Sequence, residues 1–141
     1  MTMSDFVLDS SYALSWLFPD EHTPTRKNTL FDLARRHSSA VTVPLWAFEV
    51  ANTLVVAERR GRVTQAESAE FAEKLRALPI EITKKSLLDL CDDAASLARQ
   101  HQLSVYDAAY LSLALSMSLP LATLDEPLRK AARSEEHTSE L

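Results

Sequence analysis

Four carboxylates stand where chemistry is usually done. Asp9 closes the apolar run Phe6-Val7-Leu8, and Asp125 closes Leu121-Ala122-Thr123-Leu124. Glu49 interrupts an apolar helical stretch, and Asp107 follows Ser104-Val105-Tyr106 in the first turn of another helix. Two sit at strand ends and two on helices, spread over most of a 141-residue chain. Brought together, they form a cluster of negative charge with no fixed cation beside any of them in sequence. Like charges at that range cannot all stay ionised unless something neutralises them. A divalent metal is the usual answer, and hard oxygen ligands select Mg²⁺ or Mn²⁺.

Each carboxylate has a plainer reading. Asp9 suits the N-cap of a helix starting at Ser10, and Asp125 suits the same role before Glu126-Pro127. Asp107 suits the acidic third residue of a Ser104-x-x-Asp107 capping arrangement, since acids are favoured at helix starts. Glu49 resists. The stretch Leu45 to Ala57 is apolar nearly all round, which predicts a buried helix. Its polar residues Glu49, Asn52 and Thr53 fall at i, i+3 and i+4, one stripe on one face. A buried glutamate is costly unless paired or bound to metal, and no Lys or Arg lies at i±3 or i±4 of Glu49. The competing reading makes that stripe face solvent.

The elements that must position these groups alternate. The pattern predicts strands at residues 6–9, 40–43, 80–82 and 120–123. Helices are predicted from Ser10 to Phe18, from Pro24 to His37, from Pro44 to Gly61, from Thr64 to Leu78, from Ser86 to Gln102, from Ser104 to Ser118, and after Asp125. Thr23-Pro24 is a good helix start, Thr64-x-x-Glu67 a capping box, and Gly61 a helix stop. Strands alternating with helices make an α/β fold with a parallel sheet covered on both faces. Ligands of such sheets bind beyond the carboxyl ends of the strands, where Asp9 and Asp125 fall.

Composition narrows the chemistry. Hydrophobic content of 46% and charged content of 25% are ordinary globular values. The single glycine, Gly61, excludes a glycine-rich phosphate loop, and the single cysteine, Cys91, excludes an internal disulfide and a CxxC site. His22, His37, His101 and His137 share no ligand spacing. No apolar run is long enough for a membrane span, and the start lacks the basic region of a signal peptide, so a cytoplasmic protein is expected. Net charge is −5, of which residues 133–141 (one Arg, three Glu) supply −2. That polar tail resembles translated adapter sequence rather than native chain. It occupies the place of a further edge strand, so that strand is expected to be missing. Arg59, Arg60 and Arg62 read first as helix C-terminal charge and second as a phosphate-contacting edge. Trp16, Trp46, Tyr106 and Tyr110 read as core or interface, and Asp92-Asp93 as surface.

These residues carry a resemblance. Val7-Leu8-Asp9-Ser10-Ser11-Tyr12-Ala13-Leu14, Val43 to Asn52 around Glu49, Leu103-Ser104-Val105-Tyr106-Asp107-Ala108-Ala109-Tyr110 and Leu121-Ala122-Thr123-Leu124-Asp125 occur in the order and with the gaps of PIN domains. The chain is most similar to the VapC-type ribonucleases among them, over about residues 5–132. The resemblance implies a PIN-like three-layer α/β/α sandwich with a short, mainly parallel sheet. It implies an Mg²⁺- or Mn²⁺-dependent endoribonuclease whose metal and catalytic residues are Asp9, Glu49, Asp107 and Asp125, supported by Thr123, Ser10 and Asn52. It implies RNA as substrate, a small VapB-like antitoxin as partner, a homodimer and no organic cofactor. The alternative is an inactive PIN-like module that binds RNA or a protein. A haloacid dehalogenase-type phosphatase would need a second Asp in Asp9-Ser10-Ser11, and a receiver domain would need adjacent acids at the first strand and a late lysine.

Overall fold

The computed structural model of the protein describes residues 4–135. Four strands form one sheet: β1 (Phe6–Leu8), β2 (Ala40–Thr42), β3 (Ile80–Ile82) and β4 (Leu121–Ala122), in the order β3-β2-β1-β4. Every described pairing is parallel. Seven α-helices flank the sheet: α1 (Ser10–Leu14), α2 (Pro24–Ala34), α3 (Leu45–Arg59), α4 (Gln65–Arg76), α5 (Leu87–His101), α6 (Val105–Met117) and α7 (Glu126–Ser134). The α/β sandwich expected from the alternation is the fold observed.

The central strands are apolar because helices cover both of their faces. Val7, Leu8, Leu121 and Ala122 are fully buried. Helix α6 packs on β1 and β4, with α5 and α7 against it, while α1 packs on α3 and α3 on α4. Strand β3 lies at an edge, and its exposed Glu81 keeps that edge polar. The chain runs from β1 outward through β2 to β3, then returns to β4 on the other side of β1. The order therefore reverses between β1 and β4. In sheets of this type the crevice at such a reversal, outside the carboxyl ends, receives the ligand.

The caps read from sequence at Thr23, Thr64 and Ser104 hold. Thr64 and Glu67 form a reciprocal capping box, and Thr23 and Ser104 accept from the backbone N–H three residues on. Gly61 stands at φ +70°, and the next N–H, that of Arg62, closes α3 on Ala57 O at 2.9 Å. Two helices stop sooner than the periodicity predicts. Helix α1 ends at Leu14 rather than Phe18, because Ser15 Oγ takes the carbonyl of Tyr12 at 2.5 Å and the next N–H groups bond back three residues. Helix α2 ends at Ala34, and Arg36 turns the chain at φ +61°.

One expectation fails outright. Helix α3 is not buried all round. Trp46, Val50, Leu54 and Ala57 face the core, but Phe48 is 76% exposed and Val55 is also open. An apolar surface on a helix can be covered by something other than its own core, and periodicity does not distinguish the two. The chain also continues as helix past residue 132, through Ser134, and Glu135 accepts from His101 Nε2 at 2.7 Å. The rest of the tail, residues 136–141, and any edge strand there lie outside the described residues. Among the described residues, no helix is long and apolar enough to cross a membrane.

Candidate active site

Asp9 leaves β1 at the reversal point. Its own N–H donates to Ala122 O at 3.0 Å, and Thr42 Oγ1 donates to the preceding carbonyl, Leu8 O, at 2.7 Å. Strands on both sides therefore hold the backbone that carries the carboxylate. Asp9 occupies the N-cap position of α1, yet its side chain accepts no backbone cap bond. Instead Oδ2 accepts from Thr123 Oγ1 at 2.5 Å and from Ser11 Oγ at 2.7 Å, and Oδ1 faces Ser10 Oγ at 3.4 Å. The local capping reading of Asp9 fails on this geometry.

Thr123, fully buried just past β4, joins the two strand ends. Its hydroxyl donates to Asp9 and accepts from Asp125 N at 3.0 Å, while its carbonyl accepts from Arg129 Nη2 at 2.8 Å. Ser11 adds a second link: its hydroxyl also accepts from Leu124 N at 3.0 Å. Asp125 does cap α7, accepting from Leu128 N through Oδ1 at 3.0 Å. One of its oxygens is therefore committed to the backbone and the other is not.

Glu49 and Asp107 come from α3 and α6. Glu49 Oε1 accepts from Tyr110 Oη and, at 3.2 Å, from Ser10 Oγ. Ser10 thus stands between Asp9 and Glu49 with one proton to give. In α6 the backbone N–H of Asp107 donates to Ser104 Oγ at 3.1 Å, which is the cap bond, and the Ser104 side chain in turn favours the charged Asp107 carboxylate. Asn52 is exposed one turn along α3 from Glu49.

Electrostatics ties the four together. Burial, foremost, raises the Asp9 carboxyl above the ordinary range, and the Asp125 charge adds to it against the two hydroxyl bonds. Glu49 is raised by burial and by the Asp9 and Asp107 charges, with the Tyr110 bond opposing. Asp107 is raised by burial and by the Asp125 and Asp9 charges. No ion pair of the described residues involves any of the four. Among the described residues no three His, Cys, Asp or Glu side chains are close enough to grip one ion as they stand. The carboxylates are neighbours that repel, not a closed ligand cage. Their chemistry fits a hard divalent cation: every donor is oxygen, Asp9 is 95% buried without a cationic partner, and each raised carboxyl would be relieved by positive charge.

Two contributors have no role assigned from sequence. Ser11 lies beside the quoted Asp9-Ser10 pair, but its bonds reach residues more than 100 positions away. Tyr110 is fully buried core, as read, and its hydroxyl is also part of the site. Trp16 and Phe18 offer little free apolar surface, at 8% and 5% exposed. Instead Trp16 joins Leu17, Leu30, Phe71, Leu75 and Leu78 in the floor of a groove of about 300 Å³, with Glu67, Glu70 and Lys74 at its sides. The basic end of α3 is remote from Glu49: ten residues of helix between Glu49 and Arg59 span about 15 Å.

A family profile for the PIN domain matches residues 6–134. The chain is 32% identical over 122 residues to Ribonuclease VapC3 of Pyrobaculum aerophilum, covering 86% of this chain and 90% of that protein. The crystal structure of PAE2754 from Pyrobaculum aerophilum matches with a TM-score of 0.70 at 22% identity, over 91% of this chain and 84% of that one, a likeness of fold.

Proposed function

The chain belongs to the PIN domain family, and from that premise we propose that it is an endoribonuclease, the toxin of a toxin–antitoxin pair, dependent on Mg²⁺ or Mn²⁺ held by Asp9, Glu49, Asp107 and Asp125. The observation that carries this reading is Asp9: a carboxylate buried at the strand-order reversal, fixed by hydroxyls rather than by a cation, with three further carboxylates around it. When bound, the cation supplies Lewis-acid polarisation of a phosphodiester and a water of lowered pKa. Thr123 and Ser11 hold Asp9 Oδ2, and Ser10 shares its proton between Asp9 and Glu49. Asp107 and the free oxygen of Asp125 complete the rim.

An acidic protein can act on RNA this way because the substrate's charge is met at the site rather than by a basic surface. Single-stranded or looped RNA suits the open rim better than an A-form duplex. All four acids are present, which supports catalysis over the inactive module. The small antitoxin fits the groove floored by Trp16, Leu17 and Phe71: an amphipathic helix there would bury apolar area beside the charged residues Glu67, Glu70 and Lys74 of α4. The homodimer rests on another surface. Phe48, Leu87, Val105 and Tyr106 are all exposed around a groove with an almost wholly apolar lining that includes Val43, Leu45 and Ala109. Patches of that kind mark protein contacts. The cytoplasm is the location proposed, and no organic cofactor is invoked.

Incubation of the purified protein with a mixed single-stranded RNA pool tests the activity. Cleavage is expected with Mn²⁺ or Mg²⁺ and none after chelation. Intact RNA under every divalent condition, from a protein that melts cooperatively, would support the binding-module reading instead.

A further inference from the structure

We infer that Tyr110 is a positioning residue of the site: its buried hydroxyl locks the Glu49 carboxylate in the orientation the site uses. The inference rests on the reading of Glu49 as a metal ligand. Tyr110 lies three residues after Asp107 on α6, so one helix carries both the Asp107 carboxylate and the hydroxyl that holds its counterpart from α3. Its ring is fully buried, among Leu111, Leu113 and the β1 core. A tyrosine has two side-chain torsions and packing here fixes both, whereas Glu49 has three and is only half-buried. The rigid group therefore sets the mobile one. Glu49 Oε1 accepts from both Tyr110 and Ser10, while no hydrogen bond is made to Oε2 among the described residues. One oxygen is anchored and the other is left to face the site.

The buried ring holds this hydroxyl in place, and this differs from a serine or water that can rotate away. A hydroxyl placed only for stability would need no charged acceptor. This one is spent on a carboxylate drawn from another helix.

The test compares Tyr110→Phe, which keeps the ring and removes one oxygen, with wild type, Asp9→Asn and Glu49→Gln. Mn²⁺ affinity is read by calorimetry, RNA cleavage by initial rate, and folding by thermal melt. Groups that orient metal ligands change affinity or activity by roughly 10–100-fold. Tyr110→Phe is expected to weaken Mn²⁺ binding within that range, with KM for RNA unchanged and cleavage partly restored at high Mn²⁺. Adding Tyr110→Phe to Glu49→Gln is expected to lose nothing further. Wild-type Mn²⁺ affinity in Tyr110→Phe, or a full additional loss on the Glu49→Gln background, would overturn the inference. If Tyr110→Phe does not fold, 3-fluorotyrosine at position 110 gives a second readout. Its fluorine resonance should move on adding Mg²⁺ to wild type and stay fixed in Glu49→Gln; no movement in wild type overturns the inference. Should Asp9→Asn and Glu49→Gln bind Mn²⁺ and cut RNA like wild type, the reading of the site itself fails, a result distinct from wild-type behaviour of Tyr110→Phe alone.

Discussion

Thr123 Oγ1 donates to Asp9 Oδ2 at 2.5 Å across the gap between two neighbouring parallel strands, 114 residues apart in sequence. The same oxygen accepts from Asp125 N, so one buried hydroxyl sets the position of the two strand-end acids together. Thr123→Val keeps the shape and removes this link. The unmet partners are expected to cost about 1–3 kcal/mol of stability. Cleavage should fall roughly 10–100-fold, as for other groups that orient metal ligands. Melting and initial rates on one preparation check both. Unchanged cleavage would mean that Ser11 alone holds Asp9.

The repulsion among the carboxylates makes a prediction about pH. Asp9, Glu49 and Asp107 are each raised above their ordinary values, chiefly by burial. A carboxyl raised in the folded state contributes stability below its unfolded pKa and loses it as pH rises through the folded pKa. The metal-free protein is therefore penalised at neutral pH. Without metal, Asp9→Asn should melt about 2–6 °C above wild type at pH 7. The difference should shrink on acidification below the ordinary carboxylate range. A gap of constant size across pH would assign the effect to hydrogen bonding rather than charge.

Self-association is predicted on the exposed apolar face. Phe48 is 76% exposed and Leu87 57% exposed, on α3 and α5. Phe48→Asp or Leu87→Asp should turn a dimer into a monomer in sedimentation velocity while leaving the melt of the monomer cooperative. A chain that sediments as a monomer before substitution contradicts the proposed interface.

Much of this was legible in the residues, for identifiable reasons. Apolar runs ended by Asp9 and Asp125 located the carboxyl ends of β1 and β4, and a parallel sheet puts its ligands there. Caps at Thr23, Thr64 and Ser104 were local and so readable. The direction of the Asp9 side chain was not, because a helix cap three residues away and a hydroxyl 114 residues away compete for one carboxylate. Ser11 and Tyr110 likewise act on partners 113 and 61 residues away. Helix α3 misled because an apolar residue reads the same in sequence whether the fold covers it, as at Val50 and Leu54, or leaves it open, as at Phe48 and Val55. Ser15 shortened α1 through a side-chain bond to Tyr12 O that periodicity does not register.

Inhibition should compete with the metal. A cation on a flexible segment is an effective block for clustered carboxylates, and an arginine fork pairs two carboxylate oxygens without ever deprotonating. The antitoxin is thus expected to seat a helix over Leu17 and Phe71 and to bring a basic residue toward Glu49 and Asp107. Its affinity for this chain should weaken as Mn²⁺ rises at constant ionic strength. Affinity independent of Mn²⁺ would leave only the groove contact.

The central claim is that Asp9 supports catalysis by binding a divalent cation rather than by capping α1. The direct measurement is calorimetric Mn²⁺ binding and RNA cleavage by folded Asp9→Asn beside wild type. Asparagine keeps the cap position and the size of the side chain and removes the charge. Loss of Mn²⁺ binding together with a fall in cleavage greater than the roughly 100-fold seen for groups one layer out is the predicted result. Wild-type cleavage by folded Asp9→Asn would contradict the account.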